Sequence, residues 1–401
     1  MSRSFLVTTF TAMRLVITLL VSDENDTIAP WLEYHLAQGA AFVVVTANNA
    51  SPATVAAVDR YVRAGQARMI EESSNNWDQS TWVTRMARIA ACEHEADWII
   101  NADADEFFVP VNGTLKDVFM AIPDEYHVLR MPMSDMRPGP ESKRPFFERM
   151  VIRESFTRKP TRKFGEQEKV AHRAAADVVV HGGNHRVTRE GFVEVPAWRP
   201  IRILHYPMRS YAQYERKIVR GGEATRRSTI HAGAVRTLRY GDYLEGRLPA
   251  FWARHVVGGG DLVEGVREGR LVADERVKHF MREILGAHLS PQVAPDPKLH
   301  EANQRAWPEL SPQAADLRAD LMRRRMAWEL GTTRHEQLSA QVRVERLETK
   351  IKRLAERIAK KEALHRKVAD RLEAAEAGPA RRGARGMRRV SRRLIRRALR
   401  R

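Results

Sequence analysis

The residues best suited to chemistry lie where an apolar run, Trp98 to Ala102, ends in three carboxylates, Asp103, Asp105 and Glu106. Side chains alternate in an extended chain, so Asp103 and Asp105 are expected on one side and Glu106 on the other. Two oxygen donors at this spacing suit Mg²⁺ or Mn²⁺ bound to a diphosphate, because these ions keep positions open for substrate phosphates. The stretch predicts a divalent-cation site. The alternative is a solvated turn in which both aspartates cap backbone amides.

Three strand–helix units precede this stretch. Their apolar runs and helical spacings predict strands near 15–21, 41–46 and 67–71 and helices near 28–39, 51–65 and 79–95. Repeated units of this kind predict a parallel sheet with right-handed crossovers and the loops after its strands along one edge. Open α/β sheets bind ligands at that edge. We therefore expect one crevice lined by Asp23, Glu24, Asn25, Asn48, Asn49, Asp103 and Asp105.

Further strands are predicted downstream, at 126–134, 178–180 and 201–205. A basic amphipathic helix follows at 211–221, and its residues Arg216, Lys217 and Arg220 are available for phosphate. Trp77 and Trp198 could stack on sugar faces, although packing in the core is the commoner role of a lone tryptophan.

Length and composition bound the class of protein. The chain has 401 residues, of which 43% are apolar, which is enough for one large domain with appendages. A single cysteine, Cys92, excludes an intramolecular disulfide and a cysteine-based zinc site, and it fits a reducing, cytoplasmic setting. Residues 4–21 are interrupted by threonines and Arg14, so a strand is a better interpretation than a signal peptide or membrane anchor.

The C-terminal part has a different pattern from about residue 331 to 377. Positions spaced alternately by three and four residues are mostly apolar, which predicts a coiled coil and with it a homo-oligomer. Gln337, Lys361 and His365 interrupt this seam, which comprises positions 337, 340, 344, 347, 351, 354, 358, 361, 365, 368, 372 and 375.

An arginine-rich tail, residues 378–401, ends the chain. It holds 11 of the charges behind the net charge of +18, which leaves 18 − 11 = +7 for the rest. Its apolar residues fall on one helical face and its arginines mostly on the other, which suits an anionic membrane surface. A solvated, disordered tail is the alternative. No aromatic residue interleaves the arginines, which argues against nucleic acid as a partner.

Residues 14–220 resemble the family-2-type glycosyltransferases of GT-A fold. Five sequence segments carry the resemblance: Ser22 to Asp26, Trp31 to His35, Ala96 to Phe107, Gly183 to His185 and His205 to Ser210. The resemblance implies a Rossmann-like, mostly parallel sheet flanked by helices. It also implies transfer of a sugar from a nucleotide-sugar to a glycan or lipid-linked acceptor, with inversion at the anomeric carbon.

The resemblance also assigns roles to residues. Asp105 would bind Mn²⁺ or Mg²⁺, Asp103 would lie near the ribose or a metal-bound water, and Asp23, Glu24, Asn25, Asn48 and Asn49 would match the nucleoside pocket. A further metal ligand is expected from His185 or, as second choice, His205, although either could be a structural histidine. The catalytic base for an inverting reaction is expected to be Asp135, with Glu166 and Glu168 as the next candidates.

Two alternatives to a glycosyltransferase stay open at this point. A haloacid dehalogenase-type phosphatase also places Asp-x-Asp after an apolar strand, and a scaffold protein would act through the coiled coil and tail alone. An EF-hand is excluded, because Phe107 and Phe108 stand where its loop needs oxygen donors and glycine. The expected organisation is a transferase domain at 1–222, a helical extension at 223–330, the coiled coil at 331–377 and the tail. We expect a cytoplasmic protein, peripheral on the membrane if the tail docks there.

Overall fold

The computed structural model describes residues 13–73, 78–155, 167–227, 234–285, 301, 303 and 311–376. The chain divides into two compact units, Met1–Trp328 and Glu329–Arg401. The first unit has a mixed α/β fold in which a large, mostly parallel sheet is flanked by helices. The α/β class predicted from the sequence is therefore confirmed.

The strands are short and follow one another in chain order as β1 (Leu15–Val21), β2 (Phe42–Asn48), β3 (Ala67–Glu72), β4 (Trp98–Asp103), β5 (Glu106–Pro110), β6 (Val128–Asp135), β7 (Ile152–Glu154), β8 (Glu168–Arg173), β9 (Val179–Val180), β10 (Val187–Thr188), β11 (Ile201–His205) and β12 (Leu271–Ala273). Eight of them form the main sheet, in the order β3-β2-β1-β4-β8-β6-β11-β5. The pairs β7–β12 and β9–β10 form two small antiparallel sheets.

The helices are α1 (Ile28–Ala37), α2 (Pro52–Arg63), α3 (Gln79–Glu93), α4 (Leu115–Ala121), α5 (Phe146–Arg149), α6 (Tyr211–Arg227), α7 (Ala234–Leu244), α8 (Leu248–His255), α9 (Gly259–Arg267), α10 (Arg276–Leu285) and α11 (Pro312–Glu376). Helix α2 begins as its sequence predicts, because the Ser51 side chain accepts a hydrogen bond from the Thr54 amide and Pro52 occupies the first turn.

The first four strands of the sheet are parallel, as predicted, and their order creates a crevice. The chain moves outward from β1 to β2 and β3 and then returns to place β4 on the other side of β1. Loops after β1 and β4 therefore leave in opposite directions, which is the topological switch point where such sheets bind ligands. Beyond β4 the sheet becomes mixed, because β8 and β5 run antiparallel to their neighbours.

Two apolar layers hold the helices to the sheet. Ile17 and Leu19 of β1 belong to a large cluster that also buries Trp31 of α1, while Val16 belongs to a second cluster with Met86 of α3. β1 is thus covered on both faces, which explains why its sequence is nearly continuous in apolar residues. Packing of this kind fixes the positions of the strand ends that carry the acidic residues.

The second unit contains the part of α11 from Glu329 onward. This helix covers most of the predicted coiled coil, while the predicted basic tail, 378–401, lies outside the described residues. Across the described ranges, no helix combines the length and the apolar character needed to cross a bilayer.

Candidate active site

The acidic stretch forms a tight turn rather than a continuous strand. β4 ends at Asp103, residues Ala104 and Asp105 form the turn, and β5 starts at Glu106. The turn breaks the alternation expected from the sequence, so Asp103 and Asp105 bind different partners. The expectation that these two side chains share one side of a strand is wrong, because the backbone there is not extended.

Asp105 is buried at the meeting point of three elements. Its Oδ2 atom lies 2.5 Å from the Nζ atom of Lys217 on α6 and 3.5 Å from Nε2 of His205 at the end of β11. The carboxylate side chain is only 6% exposed, whereas that of Lys217 is 44% exposed. Asp105 therefore joins the turn to β11 and to the basic helix.

His205 links Asp105 to a second acid. The parallel pairing of β6 with β11 places His205 beside Asp135, and the imidazole Nδ1–H donates to Asp135 Oδ1 over 2.7 Å. Asp135 is 34% exposed. The two carboxylates thus flank opposite nitrogens of one imidazole ring.

The loop after β1 reaches the same place through Arg209. This arginine is completely buried, and its guanidinium donates to both oxygens of Asp26, over 2.8 and 2.9 Å, and to Glu24. It also donates to the Tyr206 carbonyl just after β11. A planar guanidinium suits this fork geometry, and it holds Glu24 beside Asp26.

The loops after β1 and β2 are tied together at the surface. The Asn25 amide oxygen accepts hydrogen bonds of 2.6 Å from Ser51 and Thr54 at the start of α2. Arg220 of α6 donates to the Ser22 hydroxyl over 2.9 Å and to the Asn49 carbonyl over 3.1 Å. Helix α6 therefore spans both loops, which closes one side of the crevice.

A lysine lies beneath the turn. Lys169 of β8 is 3% exposed, and its Nζ lies 2.7 Å from Asp103 Oδ2 and 2.6 Å from Glu106 Oε1. Asp103 also accepts from Gln79 at the start of α3, over 3.3 Å. One buried ammonium thus holds the acids on both sides of the turn.

Comparison with known proteins identifies the family of this chain. The model of glycosyltransferase family 92 matches residues 17–231, more than half of the chain and the whole region just described. The chain belongs to glycosyltransferase family 92. The prediction that it is a glycosyltransferase is confirmed, and the phosphatase and scaffold alternatives are set aside. The family-2-type character that the sequence motifs suggest stays a prediction.

Solved structures similar to this family-92 chain come from TarS of S. aureus. TarS 1–349 with UDP-GlcNAc is 12% identical at a TM-score of 0.32 and covers 79% of this chain and 92% of its own. The same fragment with UDP is 14% identical at a TM-score of 0.31, covering 78% and 89%. A further crystal structure of TarS is 14% identical at a TM-score of 0.30. The match covers 59% of this chain and 43% of that TarS chain. No curated protein matches the sequence.

Charge compensation sets the protonation of the residues around Asp105. Burial alone would raise the pKa of Asp105, but Lys217, His205 and Arg209 lower it well below its ordinary value. Burial alone would lower the pKa of His205, but Asp105 and Asp135 raise it to about 10. Burial raises the pKa of Glu24 despite the neighbouring Arg209. Asp105 is therefore anionic and His205 cationic at neutral pH.

The predicted metal ligands are only partly brought together. Asp105 and His205 are neighbours, whereas Asp103 is bonded to Lys169, and His185 Nδ1 bonds to the Glu168 carbonyl over 2.7 Å. Over the described part of the chain, no group of three or more His, Cys, Asp or Glu side chains is placed to hold one metal ion.

Two of the other residues predicted for the site, Glu168 and Trp198, bind partners outside the cluster around Asp105. Glu168 accepts from Arg199 over 2.6 Å and lies 3.8 Å from Arg130. Trp198 is 1% exposed and donates to Asp320, so it packs in the core and cannot stack on a sugar. Glu166 and Trp77 lie outside the described residues.

Sequence reasoning missed Lys169 and the role of Arg209. Lys169 follows a segment without clear periodicity, and it meets Asp103 from a strand 66 residues away. Arg209 belongs to the His205 to Ser210 motif, but nothing in its own surroundings indicates that it reaches Asp26, 183 residues earlier. Neither residue stands out locally, because Lys169 follows another charged residue and Arg209 lies beyond the end of β11.

Proposed function

We propose that this family-92 chain transfers a sugar from a nucleotide-sugar to a glycan or lipid-linked acceptor. The observation that carries the proposal is the meeting of Asp105, Glu24, His205 and Lys217 at the switch point of the sheet. A crevice at this position, with anionic and cationic groups side by side, suits a ligand that combines a sugar, a nucleoside and a diphosphate.

The basic face of α6 supports binding of the donor diphosphate. Arg216, Lys217 and Arg220 lie within one turn of the helix, with side chains that are 59%, 44% and 44% exposed. Both arginines lie 3.7 Å from Asp23, which holds them over the loop after β1. Breaking the bond to the sugar leaves negative charge on the diphosphate, and these cations stabilise it there.

Mn²⁺ or Mg²⁺ remains part of the proposal, with a smaller ligand set than the sequence suggested. Asp105 and His205 would hold the ion, which would displace the proton on Nε2 of His205, because such ions often take one or two protein ligands and complete their shell with substrate phosphates. When bound, the ion acts as a Lewis acid on the diphosphate. Asp135 accepts from the other nitrogen of His205, which orients the ring as carboxylates do behind metal-binding histidines.

Inversion at the anomeric carbon needs a base that accepts the proton of the acceptor hydroxyl. Among the predicted candidates that the structure describes, Asp135 has the more exposed side chain, at 34% against 23% for Glu168. We therefore keep Asp135 as the proposed base.

The remaining assignments follow from position. Asp23, Asn25, Asn48 and Asn49 are proposed to border the nucleoside, with Asp103 beside the ribose, since they end the strands of this crevice. We propose the catalytic part at 1–222 with a helical extension at 223–330. The arginine-rich tail, residues 378–401, is proposed to dock on an anionic membrane surface that carries the acceptor.

Turnover of a donor panel tests the proposal. Purified chain is incubated with UDP-, GDP- and CDP-sugars, and with phosphomonoesters, in Mn²⁺ and in EDTA. Release of nucleoside diphosphate from one class of sugar nucleotide is the expected result. Phosphate release from monoesters without any attack on sugar nucleotides would overturn the proposal. Sedimentation with anionic liposomes, lost on truncation after Gly378, tests the membrane assignment separately.

A further inference from the structure

The sequence of α11 in the second unit carries an apolar stripe. Two of its members that are described, Leu330 and Leu347, are 73% and 54% exposed. They lie on the same three-and-four spacing that continues to position 375. A helix of this length with an apolar seam is stable when a second helix covers the seam.

The residue types in the seam specify how many helices cover it. Val344, Ile351 and Ile358 occupy the a positions of successive heptads, and Leu347 and Leu354 occupy d positions. Branched residues at a with leucine at d favour two parallel strands over three or four. Lys361 and His365 interrupt adjacent layers, and polar residues inside a seam fix its register at a cost in stability.

The flanking charges specify what the partner is. Arginine recurs at g positions and glutamate at the e positions five residues later: Arg343 and Glu348, Arg357 and Glu362, Arg371 and Glu376. In a parallel pair, each g residue faces the e residue of the next heptad on the other strand, so every one of these arginines meets a glutamate. In an antiparallel pair g faces g, which would set arginine against arginine.

We propose that α11 pairs with a second copy of this chain as a parallel, in-register, two-stranded coiled coil over residues 337–376. The partner is the same sequence, because the charge pattern is complementary to itself. This inference is independent of the proposed transferase chemistry, so either can fail alone.

Charge reversal in the full-length chain tests both the partner and its direction. One variant carries Arg343→Glu and Arg357→Glu, and the other carries Glu348→Arg and Glu362→Arg. Each alone is expected to dimerise roughly 100-fold more weakly than the natural chain, and an equimolar mixture is expected to form heterodimers. Sedimentation equilibrium measures both, with circular dichroism to confirm folding. A monomeric natural chain, or two variants that dimerise as it does, would overturn the proposal.

Disulfide cross-linking is a second test, and it does not depend on measuring the affinity of the dimer. In a Cys92→Ser background, Leu347→Cys lies at a d position nearer one end of the seam, so two copies meet only in a parallel, in-register pair. Oxidation is expected to yield a disulfide-linked dimer for this variant and none for Glu356→Cys, which lies on the outer face at position f. No cross-link at 347, or equal cross-linking at both positions, contradicts the parallel arrangement.

Discussion

Lys169 and Glu106 form an ion pair inside the protein, with Nζ and Oε1 2.6 Å apart and both side chains 3% exposed. Because Lys169 also binds Asp103, one ammonium neutralises the acids on either side of the Asp105 turn. Burial raises the pKa of Glu106 to about 7 in spite of Lys169. The turn that carries Asp105 therefore depends on a cation supplied by another strand.

Replacing Lys169 by methionine is expected to destabilise the fold. The change keeps the side-chain length but leaves buried acids without their counter-charge, and such a loss typically costs about 3–5 kcal/mol. The free energy of unfolding, measured in urea, checks this. Arg63→Met is the control, because Arg63 pairs with Asp59 at the surface and should cost no more than about 1 kcal/mol. Equal effects of the two variants would contradict a buried anchor.

Lys217→Met is expected to weaken binding of a nucleoside diphosphate about 10- to 100-fold, because a charge-assisted contact to phosphate is lost. Isothermal titration calorimetry with UDP or GDP, whichever binds, checks the affinity. Arg226→Met, on the same helix and exposed, is the matched control and should bind as the natural chain does. Unchanged affinity in Lys217→Met would remove α6 from the donor site.

Asp135→Asn is expected to lower the pKa of His205 from about 10, since an opposite charge 2.7 Å from Nδ1 favours the imidazolium. NMR titration of the histidine ring should show a decrease of about 1–3 pH units. Asp124→Asn, at an exposed position, should leave the titration in place. A His205 pKa that does not move would mean that Asp135 neither orients nor charges this ring.

His172→Leu is expected to make the protein more resistant to acid. His172 is fully buried, and burial lowers its pKa to about 4, despite a hydrogen bond to the Arg173 carbonyl. Between pH 6.5 and 4 the unfolded chain binds a proton at this site and the folded chain does not. The free energy of unfolding therefore decreases as the pH is lowered through that window, by about 1.4 kcal/mol per pH unit. Urea unfolding at several pH values should show a slope reduced by that amount in the variant. An identical slope would contradict a neutral buried His172.

Local sequence patterns predicted most of the first half of the fold. The apolar runs of β1 and β2 and the Ser51-Pro52 start of α2 are signals contained within a few residues. The strand alternation expected from Asp103 to Asp105 is absent, because Ala104 and Asp105 form a turn, and a two-residue turn does not alter the hydrophobic pattern of the sequence. The mixed second half of the sheet was also not foreseen, since β8 and β5 are paired by contacts between distant segments.

The sequence predicted the acids of the candidate site and also Lys217, but it did not predict the buried cations Lys169 and Arg209. Asp105 and Glu24 follow strands whose ends the fold must bring together, so sequence reasoning could place them. Lys169 and Arg209 act through partners 66 and 183 residues away, and no local rule connects such positions. His185 was preferred to His205 because of its glycine-rich turn, whereas the pairing of β6 with β11 places His205 beside Asp105 and Asp135.

The rate of nucleoside diphosphate release from the accepted sugar nucleotide, measured for the natural chain and for Asp105→Asn, decides whether the donor binds at the Asp105 turn. We expect the variant to fold, as judged by its circular dichroism, and to lose at least about 100-fold in kcat/KM. Asp59→Asn, which changes an exposed acid on α2, should keep full activity. An Asp105→Asn enzyme as active as the natural chain would contradict the placement of the donor at this turn.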